Sequence, residues 1–249
     1  MALKPVERRG HASLDLRSRE KKAEKIRTIL EAERELRGSD LLEVGVGSGA
    51  IAARLADAVK PSGEVWGVDV RDSRLVTEGF RFAIVEDASL PFADRFFDVV
   101  VSNHVLEHVG PRPEQLAHLR EVARVLKDDG VAYLATPNRW ALLEPHFHLP
   151  LLSWLPVSAR TPYVRIARKG RDYDCHPRRR TELLELCSSA GLNVTDRTLE
   201  AVRLTVEIED LPPLVSRLVA APDRVIRAFL PLVPTHVMIL RKSVGRGRR

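Results

Sequence analysis

Cysteines and long apolar runs are scarce in this sequence of 249 residues. The two cysteines, Cys175 and Cys187, are too few for a disulfide framework and lack the paired spacing of a zinc site. They predict buried thiols in a reducing compartment, and hence a cytoplasmic protein. No stretch reaches the roughly 18 to 20 uninterrupted apolar residues of a membrane-spanning helix. The N-terminal segment MALKPVERRGHASLDLRSREKKAEK has no apolar run of signal-peptide length, so we expect no export.

Aromatic residues are also few, at 5%, and few of them lie among the basic clusters. This speaks against a surface that stacks the bases of DNA or RNA, and we expect neither as a partner. The net charge of +6 is concentrated in RIARKGRDYDCHPRRR and in the tail RKSVGRGRR. Such clusters suit phosphates or acidic lipids, and a solvated basic face is the alternative. A hydrophobic fraction of 44% predicts one large globular domain with additions.

Strand-like and helix-like segments alternate along the chain. Seven segments read as strands: DLLEVGV, GEVWGVDV, FAIVE, FDVVVSN, VAYLATP, NVTDRTLEAVRL and THVMILRK. Five read as helices: Ser18 to Leu36, AIAARLADAV, DSRLVTEG, PEQLAHLREVARVLK and RRTELLELCSSAGL. The alternation predicts an α/β fold with a doubly wound, Rossmann-like sheet. Helical inserts are expected after strand five and before the last strand.

Three parts are predicted along this chain. A helical extension covers 1–38 and the main domain covers 39–240. Within the main domain, two inserts on the substrate side cover 139–178 and 203–234. A basic tail covers 241–249.

The stretch LLEVGVGSGA predicts a buried strand that runs into a glycine loop and then a helix. Gly45, Gly47 and Gly49 permit a tight turn and let the backbone approach a ligand closely. The same letters also fit the G-x-G-x-x-A fingerprint of nicotinamide dinucleotide sites, so the loop alone is ambiguous.

Three acidic residues narrow the choice of ligand. Glu43 comes two residues before the first glycine, where it can orient the loop or meet a cationic ligand, and its charge would repel a diphosphate. Asp69 ends the second strand, where a carboxylate can accept both ribose hydroxyl protons. Asp87 follows the third strand, where it can meet an adenine amino group. Together they favour an adenine nucleoside without a diphosphate.

At this point the chain resembles the class I S-adenosylmethionine-dependent methyltransferases, in the broad group that includes the ubiquinone and menaquinone methyltransferases. The resemblance rests on LLEVGVGSG, VWGVDV, EDASLPFADRFFDVVVSNHVLEHV and LREVARVLKDDGVAYLATPN, in the order and spacing of that family. It implies S-adenosyl-L-methionine as cofactor and a site made of Glu43, Gly45, Gly47, Gly49, Asp69, Val70, Asp87, Ala88 and Asn103. In it Asp69 holds the ribose, Asp87 with Ala88 recognises adenine, and Asn103 borders the methionine part.

The stretch HVLEH, residues 104–108, has the H-x-x-E-H spelling of inverted zinc peptidases. It follows a buried strand directly and is interrupted at once by GPRP, which argues against a peptidase helix. In the quinone O-methyltransferases that this region resembles, an acid followed by Glu-His can hold a divalent cation. Glu107 and His108 match that pair, but His104 replaces the first acid, and hard cations prefer oxygen ligands. His108 stays open as a pocket residue, a base or a metal ligand, and we assign no metal.

Methyl transfer to a hydroxyl benefits from a general base with a pKa near neutrality, which favours histidine. The candidates are His104, His108, His146, His148 and His176, and we assign the role to His108, His146 and His176. The segment HPRRRTELLELCSSAG resembles one that borders the acceptor pocket in relatives.

Apolar residues in the inserts predict a pocket or membrane-facing surface for a lipid-linked acceptor, with possible contact at the inner face of the membrane. A helical cap or a dimer contact is the alternative. The predicted function is O-methylation of a small-molecule, glycan or lipid-linked acceptor. Nucleic-acid methylation, cofactor binding without catalysis and a dehydrogenase are the competing functions. The oligomeric state is left open.

Overall fold

The computed structural model describes residues 15–209 and 219–243, and seven strands within them form one sheet. In chain order the strands are β1 (Leu41–Val44), β2 (Val65–Asp69), β3 (Arg81–Ile84), β4 (Phe97–Asn103), β5 (Leu126–Pro137), β6 (Leu192–Asp196) and β7 (Thr235–Lys242). Their order in the sheet is β3-β2-β1-β4-β5-β7-β6. All neighbouring strands are parallel except β7, which is antiparallel to both β5 and β6.

Seven helices accompany the sheet in the described residues. They are α1 (Leu16–Glu31), α2 (Ala50–Val59), α3 (Arg112–Val125), α4 (Val157–Ile166), α5 (Arg180–Ser189), α6 (Thr198–Ile208) and α7 (Asp223–Phe229). Short 3-10 turns cover Leu106–His108, Leu152–Trp154 and Leu230–Leu232. None of these helices is both long and apolar enough to cross a membrane.

The central strands are buried on both faces, which explains their nearly continuous apolar sequences. Successive side chains of a strand point to opposite faces of the sheet. Leu41 accordingly packs in one core with α1 and α2, whereas Leu42 packs in a second core with α3 and α5. Helices therefore cover both faces, and the predicted doubly wound, Rossmann-like sheet of seven strands is confirmed.

The first insert has a small core of its own. Phe147, Leu149, Leu152, Val164 and Cys175 are buried against one another. The insert follows β5, whose last residue lies at the carboxyl edge of the parallel strands. Its residues are therefore placed beside the edge where ligands bind in such sheets.

Two predicted elements are wrong. DSRLVTEG forms no helix within 72–79, because the N–H groups of Leu75 and Val76 donate to the Ser48 carbonyl instead. NVTDRTLEAVRL is a strand only as far as Asp196. The Asp196 carboxylate then accepts the Thr198 N–H at 2.9 Å, and α6 begins.

The division of the chain into an extension, inserts and a tail stays a prediction. Helix α6 runs through position 203, where the second insert was predicted to start. Residues 210–218 of that insert and 244–249 of the predicted tail lie outside the described residues.

Candidate active site

The glycine loop after β1 has the backbone conformation that its sequence predicts. Gly45 and Gly49 have φ of +79° and +84°, in the left-handed region that favours glycine. A Cβ on Gly45 would lie 2.4 Å from Val105 Cγ2, and one on Gly49 would lie 2.0 Å from the Val76 carbonyl oxygen. The loop is therefore closely packed, and its shape depends on bare backbone at both positions.

Asp69 fastens this loop to the end of β2. Its Oδ2 accepts the Gly47 N–H at 2.9 Å, and its Oδ1 accepts the Val70 N–H at 2.7 Å. The carboxylate borders the open space above the loop. Asp87 lies further along the same edge, where its Oδ1 accepts the Ser89 N–H at 2.7 Å.

A cavity of about 850 Å³ opens above the loop. This volume lies within the range of small-molecule and cofactor sites. The predicted cofactor residues that line it are Gly45, Gly47, Asp69, Val70, Asp87, Ala88 and Asn103. Glu43 and Gly49 are not among the described lining residues. Asn103 Nδ2 is buried with no hydrogen-bond partner in the described part of the chain, so it is a donor available to a ligand.

Glu43 lies behind the loop and is 1% exposed. Burial raises the pKa of its carboxyl group to about 8, although the positive charge of Arg19 opposes this shift. The carboxyl group is therefore mainly protonated at neutral pH. This favours a role in supporting the loop over direct pairing with a cationic ligand.

Helix α1 supplies two cationic side chains to the cavity wall, Arg19 and Lys22. Burial and the neighbouring charges of Arg19 and Lys25 lower the pKa of Lys22 to about 8. Sequence analysis missed both residues, because the alternating charges of α1 are typical of a solvated helix face. Their position at the cavity wall depends on how α1 packs on the sheet, and a local sequence pattern does not predict that packing.

A buried carboxylate and three histidines, here called the Glu107 cluster, lie at the wall of the same cavity. Glu107 Oε1 lies 3.0 Å from His146 Nε2, 3.2 Å from His104 Nδ1 and 3.9 Å from His108 Nε2. Glu107 Oε2 accepts the Thr136 hydroxyl at 3.2 Å. All three histidines line the cavity, and Glu107 is fully buried behind them.

The cluster changes the protonation of its members. Burial disfavours the charged form of Glu107, but the contacts with His104 and His146 outweigh it and hold its pKa well below the usual range. Burial likewise lowers the pKa of His146, and the bond to Glu107 overcomes this, so the net pKa is raised. For His104 burial prevails and lowers the pKa. His104 also adopts φ +58°, a strained conformation that in non-glycine residues is frequent at functional sites.

The insert delivers His146 to the cluster. Glu144 Oε2 accepts the N–H groups of His146 and Phe147, at 2.9 and 2.7 Å, which fixes the turn that carries the histidine. His148 also lines the cavity. His176 does not appear among the described lining residues; its N–H donates to the Glu107 carbonyl at 2.8 Å. The geometry thus brings His108 and His146 to the cavity and leaves His176 as a neighbour of the cluster's backbone.

The sheet has the topology of a class I S-adenosylmethionine-dependent methyltransferase. The glycine loop held by an acid at the end of β2, with a cofactor-sized cavity above it, fits the same class. A family model described as a methyltransferase domain matches residues 42–134. Among curated proteins, the ubiquinone/menaquinone biosynthesis C-methyltransferase of Chromobacterium violaceum is 27% identical over 175 residues, covering 64% of this chain and 69% of that protein. The protein of the same name from Bordetella avium is 34% identical over 169 residues, covering 63% and 64%.

Solved structures agree on the fold. An S-adenosylmethionine-dependent methyltransferase from Mesorhizobium loti superimposes with a TM-score of 0.59 at 14% sequence identity, covering 88% of this chain and 98% of that one. Together with the matched methyltransferase-domain model and the curated relatives, the fold and the site identify the chain as a class I S-adenosylmethionine-dependent methyltransferase, with S-adenosylmethionine as its cofactor. The matched segments span about two thirds of the two curated relatives.

Proposed function

We propose that this methyltransferase acts on a hydroxyl oxygen of a small-molecule, glycan or lipid-linked acceptor, and that the Glu107 cluster takes up the acceptor's proton. The observation that carries the proposal is the position of His146. Its ring borders the cofactor cavity, and its Nε2 lies 3.0 Å from the carboxylate of Glu107. A carboxylate that orients a histidine and stabilises its charged form is a recurring device in general-base catalysis.

The cofactor supplies a methyl group that its sulfonium makes electrophilic. The acceptor oxygen forms a bond to the methyl carbon while the carbon–sulfur bond breaks, and the sulfur keeps that electron pair. The products are a methyl ether, S-adenosylhomocysteine and one proton. The protein's part is to align the acceptor and to remove that proton.

Several side chains fit a cofactor in this cavity. We propose that the Asp69 carboxylate binds the ribose hydroxyls, and that Asp87 with Ala88 recognises adenine. The Asn103 amide suits the methionine part, since its Nδ2 is an unused donor within the described residues. Arg19 and Lys22 supply positive charge for a carboxylate at the same wall.

The first insert supports an apolar or lipid-linked acceptor. Five of its apolar side chains are exposed around the segment that carries His146: Leu142, Leu143, Leu151, Trp154 and Val157. Where such side chains form one contiguous surface, that surface commonly marks a binding site. Cytoplasmic location and peripheral membrane contact stay predictions.

Transfer to a carbon atom is a second candidate, because the two curated relatives are named as C-methyltransferases. A carbon acceptor also loses a proton in the reaction, so the same cluster would serve. The two candidates differ in the product, since one is a methyl ether and the other carries a new carbon–carbon bond.

Isotope-labelled S-adenosylmethionine with a heavy methyl group, incubated with the chain and with polar and lipid extracts, tests the proposal. We expect mass spectrometry to find one product class that gains a single heavy methyl, and NMR of that product to place the methyl on oxygen. His146→Ala is expected to lower its formation at least about 100-fold, as loss of a general base does. Cofactor binding without transfer to any extract fraction would contradict catalysis, and a carbon-bound methyl would establish the second candidate.

A further inference from the structure

Three side chains of the types that can bind a metal ion converge where the first insert meets the turn after β4. They are His108 in the 3-10 turn Leu106–His108, His146 near the start of the insert, and Cys175 near its end. One nitrogen of each histidine and the cysteine sulfur all lie within 4.8 Å of one another. The Cys175 sulfur lies 3.8 Å from His108 Nδ1.

These separations are close to those of a zinc site. Bonds of 2.0–2.1 Å to two nitrogens and about 2.3 Å to one sulfur in a tetrahedron separate the ligand atoms by roughly 3.3 to 3.6 Å. The observed spacing therefore requires only small side-chain movements. Two imidazoles and a thiol also match the ligand preference of Zn²⁺ and similar cations rather than that of Mg²⁺.

Glu107 provides the outer contact that such sites usually have. Its Oε1 lies 3.0 Å from His146 Nε2. A carboxylate bonded to a metal-binding histidine fixes the ring and makes the nitrogen a better ligand. Glu107 itself is held by the Thr136 hydroxyl.

We propose that His108, His146 and Cys175 bind a divalent cation of the zinc type at the wall of the cofactor cavity. His108 and His146 line that cavity. Three protein ligands leave a fourth tetrahedral position, and such an open position is typical of catalytic zinc. The cation would also join the turn after β4 to both ends of the insert.

The role of the cation rests on the proposed function, although its binding does not. An acceptor hydroxyl at the fourth position would have a lower pKa and could lose its proton to solvent. Its oxygen would then form the bond to the methyl carbon as the carbon–sulfur bond breaks. His146 then acts as a ligand rather than as the base, and the need for Cys175 distinguishes the two mechanisms.

A second set of candidate ligands, His104, Glu107 and His146, shares one member with the first. We favour the set with Cys175, because Glu107 already accepts the Thr136 hydroxyl and orients His146. Variants of Cys175 and Glu107 separate the two sets. Cysteine is a ligand only in the first, whereas in the second Glu107 binds the cation directly.

Cobalt titration of the untagged full chain, stripped of metal by a chelator and dialysed, provides the test. We expect a single equivalent of Co²⁺ to produce a thiolate-to-cobalt charge-transfer band, which Zn²⁺ then displaces. Cys175→Ala should abolish the band and weaken Zn²⁺ binding by at least about 100-fold. Cys187→Ala is the matched control, since Cys187 is the other buried free cysteine and lies in the core of the sheet.

The measurements separate the failure of this inference from failure of the proposed function. Absence of stoichiometric binding by the wild type, or equal Zn²⁺ affinity of Cys175→Ala and wild type, overturns the metal site. If Glu107→Gln loses Zn²⁺ binding while Cys175→Ala keeps it, the cation belongs to the set of His104, Glu107 and His146. That result also overturns the proposed site. Methyl transfer by fully chelated protein leaves the proposed function intact without the metal. Tight zinc binding with no methyl transfer would support the metal site and contradict the proposed function. Circular dichroism of each variant confirms that it is folded.

Discussion

Glu107 Oε1 lies 3.0 Å from His146 Nε2, although 39 positions separate the two residues in the chain. Glu107 belongs to the turn after the central strand β4, whereas His146 belongs to the insert after β5. Their contact therefore holds the insert against the cofactor cavity. A charge as deeply buried as Glu107 is tolerated only with such partners.

Replacement of Glu107 by glutamine tests this contact. We expect kcat to fall at least about 10-fold, because a neutral amide neither orients nor stabilises a charged histidine as a carboxylate does. The dissociation constant for S-adenosylmethionine should stay near that of the wild type, because Glu107 lies behind the histidines that line the cavity. Calorimetry gives the dissociation constant, and steady-state kinetics give kcat. An equal loss of cofactor affinity and of rate would instead indicate general damage to the site.

Asp69 and Asp72 offer a matched pair for the cofactor site. Asp69→Asn replaces a carboxylate that accepts two loop N–H groups, at Gly47 and Val70, and borders the cavity. Asp72 pairs with Arg74 at 2.8 Å and lies outside the set of described cavity residues. We expect calorimetry to show S-adenosylmethionine binding weakened at least about 10-fold in Asp69→Asn and little changed in Asp72→Asn, since a charged hydrogen bond contributes roughly 1.5 to 3 kcal/mol. Equal affinities of the two variants would remove Asp69 from the site.

The cofactor half of the site was predictable because each of its parts is encoded locally. Gly45 follows strand β1 and Asp69 ends strand β2, and the carboxyl ends of neighbouring parallel strands lie together. Strand β4 was also predicted with its observed bounds. A strand buried on both faces has a nearly continuous apolar sequence, which is visible without any tertiary contact.

The rest of the site depends on contacts between distant segments. Lys22 reaches the cavity only through the packing of α1, and His146 meets Glu107 only through the path of the insert. Helix α6 was missed because its Thr and Val residues favour strands in isolation. Its apolar side packs on α1, so tertiary contact prevails over that preference.

Alanine substitutions at two glycines with similar backbone angles allow the cost of backbone strain to be measured apart from the cost of a steric clash. Gly49 and Gly191 have φ of +84° and +76°. A Cβ on Gly49 would lie 2.0 Å from the Val76 carbonyl oxygen, whereas one on Gly191 would lie 3.7 Å from its nearest neighbour, Ser243 Oγ. Alanine at 191 should therefore cost about 1 to 2 kcal/mol for the left-handed conformation alone. Alanine at 49 should cost several times as much, because backbone must move.

Urea denaturation of both alanine variants measures this difference. We also expect Gly191→Ala to bind S-adenosylmethionine like the wild type, since its glycine lies next to β6 and not in the loop after β1. A destabilisation of similar size in the two variants would mean that the loop after β1 adapts to a side chain.

The carboxyl group of Glu43 makes stability depend on pH in an unusual direction. Its pKa is about 8 in the folded protein because of burial, against 4.5 for an exposed glutamate. Between these values the folded state keeps a proton that the unfolded state has lost. Raising the pH therefore favours unfolding, by up to ~1.4 kcal/mol for each pH unit. Below the lower value and above the upper one, this group contributes no pH dependence.

Glu43→Gln removes the titration while it keeps the shape of the side chain. We expect the free energy of unfolding of the variant, minus that of the wild type, to grow as the pH rises from about 5 to about 8. Urea denaturation of both proteins at each pH isolates the contribution of Glu43 to the free energy of unfolding, because the two proteins share all other titrating groups. The positive charge of Arg19 opposes the pKa shift and the negative charge of Asp69 adds to it, so these neighbours set the upper end of the pH range over which stability falls. Parallel pH profiles of the two proteins would mean that Glu43 is ionised in the fold, with Arg19 as its counter-charge.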